Sequence, residues 1–292
     1  MLYYKYSLLF LNLLINRMYM QRLFRILIIT STLTSLLSCN EPTKKAEKSK
    51  AKVESPAIGS PLIKPEHITS SFPQFWSYYT ENIDLFEDFV PLDTLGSIIS
   101  KRDFLSEMGT GKYYPLLVYA GDSSIGYRLK PIPENASQSI GSYMKQFSKE
   151  ELAFYELEGK PVPAFDFQDI NGQRFNSKNT IGKIVLFKCW FISCVACVAE
   201  MPELNKMVDK YKDRDDILFI SLAMDESGPL QAFLKKTKFD YLTIPRQTKY
   251  MEEGLKVRTY PTHFIINKQG IMVKAVSEAH DIETLLAREL AK

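Results

Sequence analysis

Downstream of about residue 159 the chain alternates between apolar runs and helical spacing. Ile184 to Trp190 and Ile217 to Met224 are nearly unbroken apolar stretches, the pattern of strands buried on both faces. Between them, residues 194 to 211 carry apolar side chains at helical intervals, with Pro202 as a kink. Gly228 to Lys238 predicts a helix, Phe239 to Ile244 a short extended segment and Lys249 to Val257 another helix. Thr262 to Asn267 and Ile271 to Val276 pair across Lys268-Gln269-Gly270, and Asp281 caps a last helix ending near Leu290. Ahead of them, Ala164 to Asp169 alternates into an Asn171-Gly172 turn, the mark of a hairpin. Strands alternating with helices and closed by a hairpin predict an α/β sheet with helices on both faces.

Residues 62–158 read differently. Phe72, Phe75, Trp76, Tyr79, Ile83, Leu85, Phe86 and Phe89 recur at helix-like spacings. Tyr114 to Tyr119, a turn at Gly121-Asp122 and Ile125 to Leu129 predict strand, turn, strand. Ile140 to Leu157 predicts a helix ended by Gly159, with Pro161 behind it. The aromatics read as core packing rather than a groove, and the Lys/Glu mixture on the helices as a solvated face. No catalytic constellation is visible, so this stretch is expected to be a smaller mixed α/β domain of unassigned role.

The first 38 residues predict an export signal, with an effective start at Met18 or Met20. Arg22 and Arg25 precede the apolar stretch Ile26 to Leu37, too short to span a bilayer comfortably. Leu36-Leu37-Ser38-Cys39 resembles a bacterial lipoprotein box, which implies that Cys39 carries lipid. Residues 39–61 are Lys/Glu-rich with Ser and Pro, and predict a flexible tether.

Charge and composition narrow the function classes. With 45% hydrophobic and 12% aromatic residues the chain can bury a sizeable core. The formal net charge is +3, but Lys5, Arg17, Arg22 and Arg25 lie in the leader with no acid beside them. The remainder is close to neutral, which leaves no electrostatic case for nucleic acid. Four cysteines, one in the leader, one in a predicted strand and two in a pair, are not a disulfide scaffold.

The chemistry concentrates where the first buried strand meets its helix, at Cys194-Val195-Ala196-Cys197. A Cys-x-x-Cys in that position is the layout of a dithiol that cycles between thiol and disulfide. Cys194 at the helix start faces unpaired backbone N–H groups, which favour its thiolate; Cys197, one turn on, closes the disulfide. The competing readings are inert buried thiols or half a zinc site. Zinc needs two more ligands, and only Cys189, His67, His263 and His280 remain as soft or imidazole candidates.

Trp190 to Cys197, then Glu200-Met201-Pro202-Glu203-Leu204, then Tyr260-Pro261-Thr262 together resemble the thioredoxin-like family, and within it the extracytoplasmic TlpA/ResA-type thiol–disulfide oxidoreductases. The likeness covers residues 159–292 and implies a thioredoxin-like fold, a central mixed sheet with helices on both faces. It implies a redox-active Cys194–Cys197 pair, a cis-proline at Pro261 whose backbone pairs with a client chain, and no cofactor. Tyr260 and Thr259 then contribute to client binding, and Trp190 shields the dithiol. The family often carries Pro before the second Cys, where this chain has Ala196.

Lys188 is a departure, since thioredoxins hold a buried Asp in that place and TlpA-type relatives often Asn. A buried ammonium needs a partner. Glu200, which matches an acid of the TlpA/ResA group, returns to the face of Cys194, so Lys188 and Glu200 are expected to pair beneath Cys197; the alternative is that Lys188 snorkels to water. His263 reads as structural and Cys189 as a small hydrophobe.

The resemblance implies a membrane-tethered oxidoreductase in the bacterial cell envelope. Its partners would be exported proteins bearing disulfides or thiols and an envelope electron donor or acceptor. The rivals are a Sco-type copper carrier, which usually spaces its cysteines by three residues, and a peroxiredoxin-type peroxidase, whose Pro and Thr/Ser positions are here Phe187 and Phe191.

Overall fold

The computed structural model describes residues 56–121 and 125–292. The expected leader, Cys39, the first part of the tether and Asp122 lie outside the described residues.

The upstream region begins with helix α1 (Phe72–Asn82), followed by strand β1 (Val90–Leu92), helix α2 (Lys101–Met108), strands β2 (Tyr113–Tyr119) and β3 (Ile125–Pro131), and helix α3 (Gln138–Leu157). The strands form one sheet in the order β1-β3-β2, with β1 parallel and β2 antiparallel to β3. Ser71 and Ser100 accept hydrogen bonds from Gln74 N and Asp103 N, capping α1 and α2. The aromatics are core, as their spacing suggests: Phe75, Tyr78, Tyr79 and Tyr114 pack with Ile140 and Met144 of α3. Gly59 to Leu62 hydrogen bonds along β2, so the last residues of the expected tether are held against the sheet.

The downstream half opens with the hairpin β4 (Asp166–Gln168) and β5 (Arg174–Asn176). Then come β6 (Ile184–Trp190), α4 (Val195–Ala199), α5 (Met201–Lys210), β7 (Ile217–Ala223), α6 (Ser227–Leu234) and β8 (Leu242–Ile244). A single π-helical turn at Tyr250–Gly254, β9 (Thr262–Ile266), β10 (Met272–Val276) and α7 (Ala279–Leu290) complete the chain. The main sheet runs β10-β9-β6-β7-β8, with β6, β7 and β8 parallel and β9 and β10 antiparallel to their neighbours. This is the thioredoxin-like sheet that the motifs imply.

Two expectations need correction. Asp281 is not the cap of the last helix: α7 starts at Ala279 and Asp281 lies in its first turn. The charges of α3 are not all solvated, because Glu150 and Glu151 are buried. The reason is that α3 lies between α2 and β10, so its flanks are covered twice. Phe154 of α3 enters the main core and meets Phe264 edge-on at 5.5 Å.

Period-two alternation divides β6. Val185, Phe187 and Cys189 face the core shared with α3, whereas Ile184 and Leu186 face the core under α5 and α7. Lys188 and Trp190 fall on this second face. Helices α4 and α5 meet at Glu200, with Pro202 in the first turn of α5, so the expected kink is a break between two helices.

Candidate active site

Cys194 and Cys197 are joined by a disulfide where β6 gives way to α4. Cys194 is the residue preceding α4, and its Sγ accepts a hydrogen bond from Cys197 N at 3.2 Å. Cys194 is 8% exposed and Cys197 fully buried. Around them pack Trp190, Met201, Ala223 and Leu230, with Phe191 and Tyr260 at the margin. Phe191 and Tyr260 meet edge-on at 5.4 Å, and the Tyr260–Pro261 peptide bond is cis. Trp190 is fully buried, packed on Phe233 and Phe239. Asp225, two residues past the end of β7, accepts from Ile192 N at 2.8 Å and pins the approach to the cysteines.

A row of buried polar side chains crosses the centre of the sheet. Lys188 lies opposite His263 on β9 and beside Ser221 on β7, and Ser221 lies beside Thr243 on β8. Ser221 Oγ donates to Thr243 Oγ1 at 3.0 Å. Glu200 closes over this row: Lys188 Nζ donates to its Oε1, and His263 Nε2 lies 3.1 and 3.2 Å from its two oxygens. Lys188 is 0%, His263 1% and Glu200 12% exposed at the side chain.

Burial pushes the Glu200 carboxyl up, but His263 and Lys188 together hold it below the usual carboxylate range. Burial pulls both Lys188 and His263 below their usual ranges, with Glu200 opposing. Glu200 is therefore the acceptor at the centre of the group, with Lys188 and His263 as its two side-chain partners. A carboxylate only accepts, so Nε2 of His263 carries the proton. Its Nδ1 is buried without a hydrogen-bond partner.

The sequence profile of the AhpC/TSA family matches residues 159–275. The thioredoxin-like protein YneN of Bacillus subtilis is 27% identical over 128 residues, 43% of this chain and 74% of YneN. The thiol-disulfide oxidoreductase ResA of one Bacillus cereus strain is 29% identical over 145 residues, 49% of this chain and 81% of that protein. ResA of a second Bacillus cereus strain is 31% identical over 120 residues, 40% of this chain and 68% of that protein. The chain belongs to the ResA-type thiol–disulfide oxidoreductases. Among solved structures, the thioredoxin domain of a thiol-disulfide oxidoreductase from Bacteroides vulgatus covers 45% of this chain and 96% of its own, at 20% identity and a TM-score of 0.41.

In this ResA-type enzyme the structure brings Cys194, Cys197, Trp190 and Tyr260 into one cluster and joins Lys188 to Glu200. It sets Thr259 apart, with its amide and hydroxyl engaged by Glu150 of α3. Two residues escaped the sequence reading, Asp225 and Glu150, while His263, which reads there as structural, joins the site only once the β6–β9 register places it opposite Lys188. Asp225 carries one signal, its place at the carboxyl end of a buried parallel strand, where sites of α/β sheets gather. Glu150 carries none, since nothing local distinguishes it from Glu156 of the same helix, whose side chain stays open to water.

Proposed function

We propose that the protein exchanges disulfides with exported proteins, with Cys194 as nucleophile and Cys197 as resolving thiol. The observation that carries this reading is the unequal exposure of the two cysteines: Cys194 keeps 8% of its surface open and Cys197 none. In the reducing direction the Cys194 thiolate attacks one sulfur of a client disulfide, forming a mixed disulfide and releasing one client thiolate. Cys197, after losing its proton, attacks Cys194 Sγ and expels the second client thiolate. The client gains two electrons and two protons, and the enzyme ends as the Cys194–Cys197 disulfide. A dithiol donor in the envelope then restores it by the same exchange.

Lys188 and Glu200 act in this reading as the proton-handling pair for Cys197. In this reading the ammonium favours the thiolate of the resolving cysteine, and the paired carboxylate offers a place for the proton. Tyr260 and Pro261 supply backbone to a client segment lying as a short added strand. The Leu36-Leu37-Ser38-Cys39 box supports lipidation at Cys39 and a tether that holds the enzyme at the outer side of the membrane. Among the described residues no helix is long and apolar enough to cross a membrane.

The test is trapping. Cys197→Ser is expected to accumulate mixed disulfides with clients and Cys194→Ser to form none. Equal alkylation rates for the two thiols of the reduced protein contradict the assignment.

A further inference from the structure

Helix α3 precedes the family match, which begins at residue 159, yet one of its carboxylates ends at the turn ahead of Tyr260–Pro261. Glu150 is 4% exposed. Its Oε1 accepts from Arg258 N at 2.5 Å and from Thr259 N at 2.9 Å, and its Oε2 accepts from Thr259 Oγ1 at 3.2 Å. Thr262 Oγ1 then donates to the Thr259 carbonyl at 2.8 Å. The turn is thereby fastened from α3 on one side and from β9 on the other.

A buried carboxylate is tolerated only with donors, and hydrogen bonds from backbone N–H groups to an ionised acceptor are among the stronger ones. Two consecutive amides on one oxygen fix the orientation of the peptide planes as well as their position. Phe154 lies one helical turn beyond Glu150 and on the same face. Its contact with Phe264 anchors α3 to the strand that Pro261 leads into. One face of α3 therefore grips residues 258 to 264 at both ends.

We propose that Glu150 is a positioning residue for the client-binding turn. Its carboxylate holds the backbone at Arg258 and Thr259 so that Tyr260 and Pro261 present a preformed edge to a disulfide-bearing protein segment. This rests on the reading of Tyr260–Pro261 as the client-binding edge. Preorganisation of an edge lowers the cost of ordering it on binding. It acts on client affinity and leaves the dithiol chemistry alone. The upstream region thus contributes to recognition without touching the reacting sulfurs.

The experiment uses the full chain, reduced, with an extended disulfide-bonded protein such as insulin and with glutathione disulfide as a substrate too small to need the edge. Glu150→Ala is expected to raise KM for insulin about tenfold with kcat unchanged, the signature of lost uniform binding. Turnover of glutathione disulfide and the reduction potential should not move. Glu150→Gln keeps an acceptor oxygen of similar shape and is expected to restore most of the insulin KM. Amide exchange at Arg258 and Thr259 should be slow in the wild type and faster in Glu150→Ala.

Equal losses on both substrates overturn the proposal, as does an unchanged insulin KM in a variant whose two amides exchange freely. If Glu150→Ala does not fold, the wild type still decides, because rapid exchange at both amides removes the clamp. Tyr260→Ala separates the two levels. If it leaves the insulin KM unchanged, the client-edge reading fails rather than the clamp.

Discussion

Lys188→Met offers a direct measure of the buried pair, because methionine keeps the apolar stem and removes only the ammonium. Glu200 then keeps His263 as its single side-chain donor. Removing one partner of a buried ion pair costs about 3–5 kcal/mol, and the remaining imidazole places the loss near the lower end, about 3 kcal/mol at neutral pH. The cost should depend on pH in a predictable sense. In the wild type the Glu200 carboxyl sits below its unfolded value. It contributes stability that is present above the unfolded pKa and is lost as pH falls through the folded one. Without the ammonium, burial is opposed by His263 alone and the carboxyl rises, so the variant gives up part of that stability over the pH range where the wild type keeps it in full.

The assay is urea unfolding of the oxidised protein at pH 5 and pH 8, wild type against variant, with the disulfide intact in both. The loss should be largest at pH 8 and shrink at pH 5, where the variant's carboxyl takes up a proton. A Lys188→Met/Glu200→Gln double variant should lose less than the sum of the two singles, because each single strands the other's charge. A penalty under about 1 kcal/mol that is the same at both pH values is the range of an exposed pair, and would refute the argument.

Other outcomes follow from the same geometry. Lys188→Asn should slow resolution of the mixed disulfide and shift its pH dependence, read by stopped-flow release of a client from the Cys194 adduct. Glu151 is buried beside Glu150, and burial first, then Glu150, pushes its carboxyl up to about 8. The folded protein therefore keeps a proton that the unfolded chain releases, so this group lowers stability by about 1.4 kcal/mol per pH unit between its unfolded pKa and about pH 8. Glu151→Gln should remove that slope from the difference profile, and identical slopes would place the carboxyl in water. Cys39→Ser should move the protein out of the membrane fraction and abolish the lipid-bearing N-terminal mass, and retention in the membrane with an unchanged mass pattern would contradict the anchor.

Much of the fold can be read from periodicity because the main sheet is built from runs that admit only one reading. Ile184 to Trp190 is buried at every position, so no alternation competes with the strand assignment. The upstream region is harder to read. Strand β1 and helix α2 are short, and the only local signal for α2 is Ser100 with Asp103 three residues later, which the structure uses as a cap. The site divides along the same line. Lys188 stands out as a charge inside an apolar run, and Glu200 follows from helix phase. His263 depends on which residue of β9 faces Lys188, and a slip of one residue would turn it to the other face of the sheet. Register between distant strands has no local signature here. Burial of α3 on two sides has none either, which is why Glu150 and Glu151 read as solvent-facing charges.

Glu150 and Glu200 show why burial alone does not decide what an acid does. Both are carboxylates largely removed from water, both sit beside the turn or helix that carries the chemistry, and their shifts have opposite signs. Burial pushes each of them up. Glu150 meets only dipoles at hydrogen-bond distance, two amides and a hydroxyl, and these do not offset the loss of water, so its carboxyl remains above the usual range. Glu200 meets an imidazole N–H and an ammonium, and His263 first, then Lys188, bring it below that range against the pull of burial. A carboxylate held by fixed backbone dipoles gains most from staying where it is, which suits a clamp. A carboxylate held by two titratable side chains has on each side a donor whose proton can shift, which suits the proton-handling role proposed for it. On the two proposals above the acids divide the work, Glu150 fixing where a client lies and Glu200 sharing in the proton transfer at the resolving sulfur.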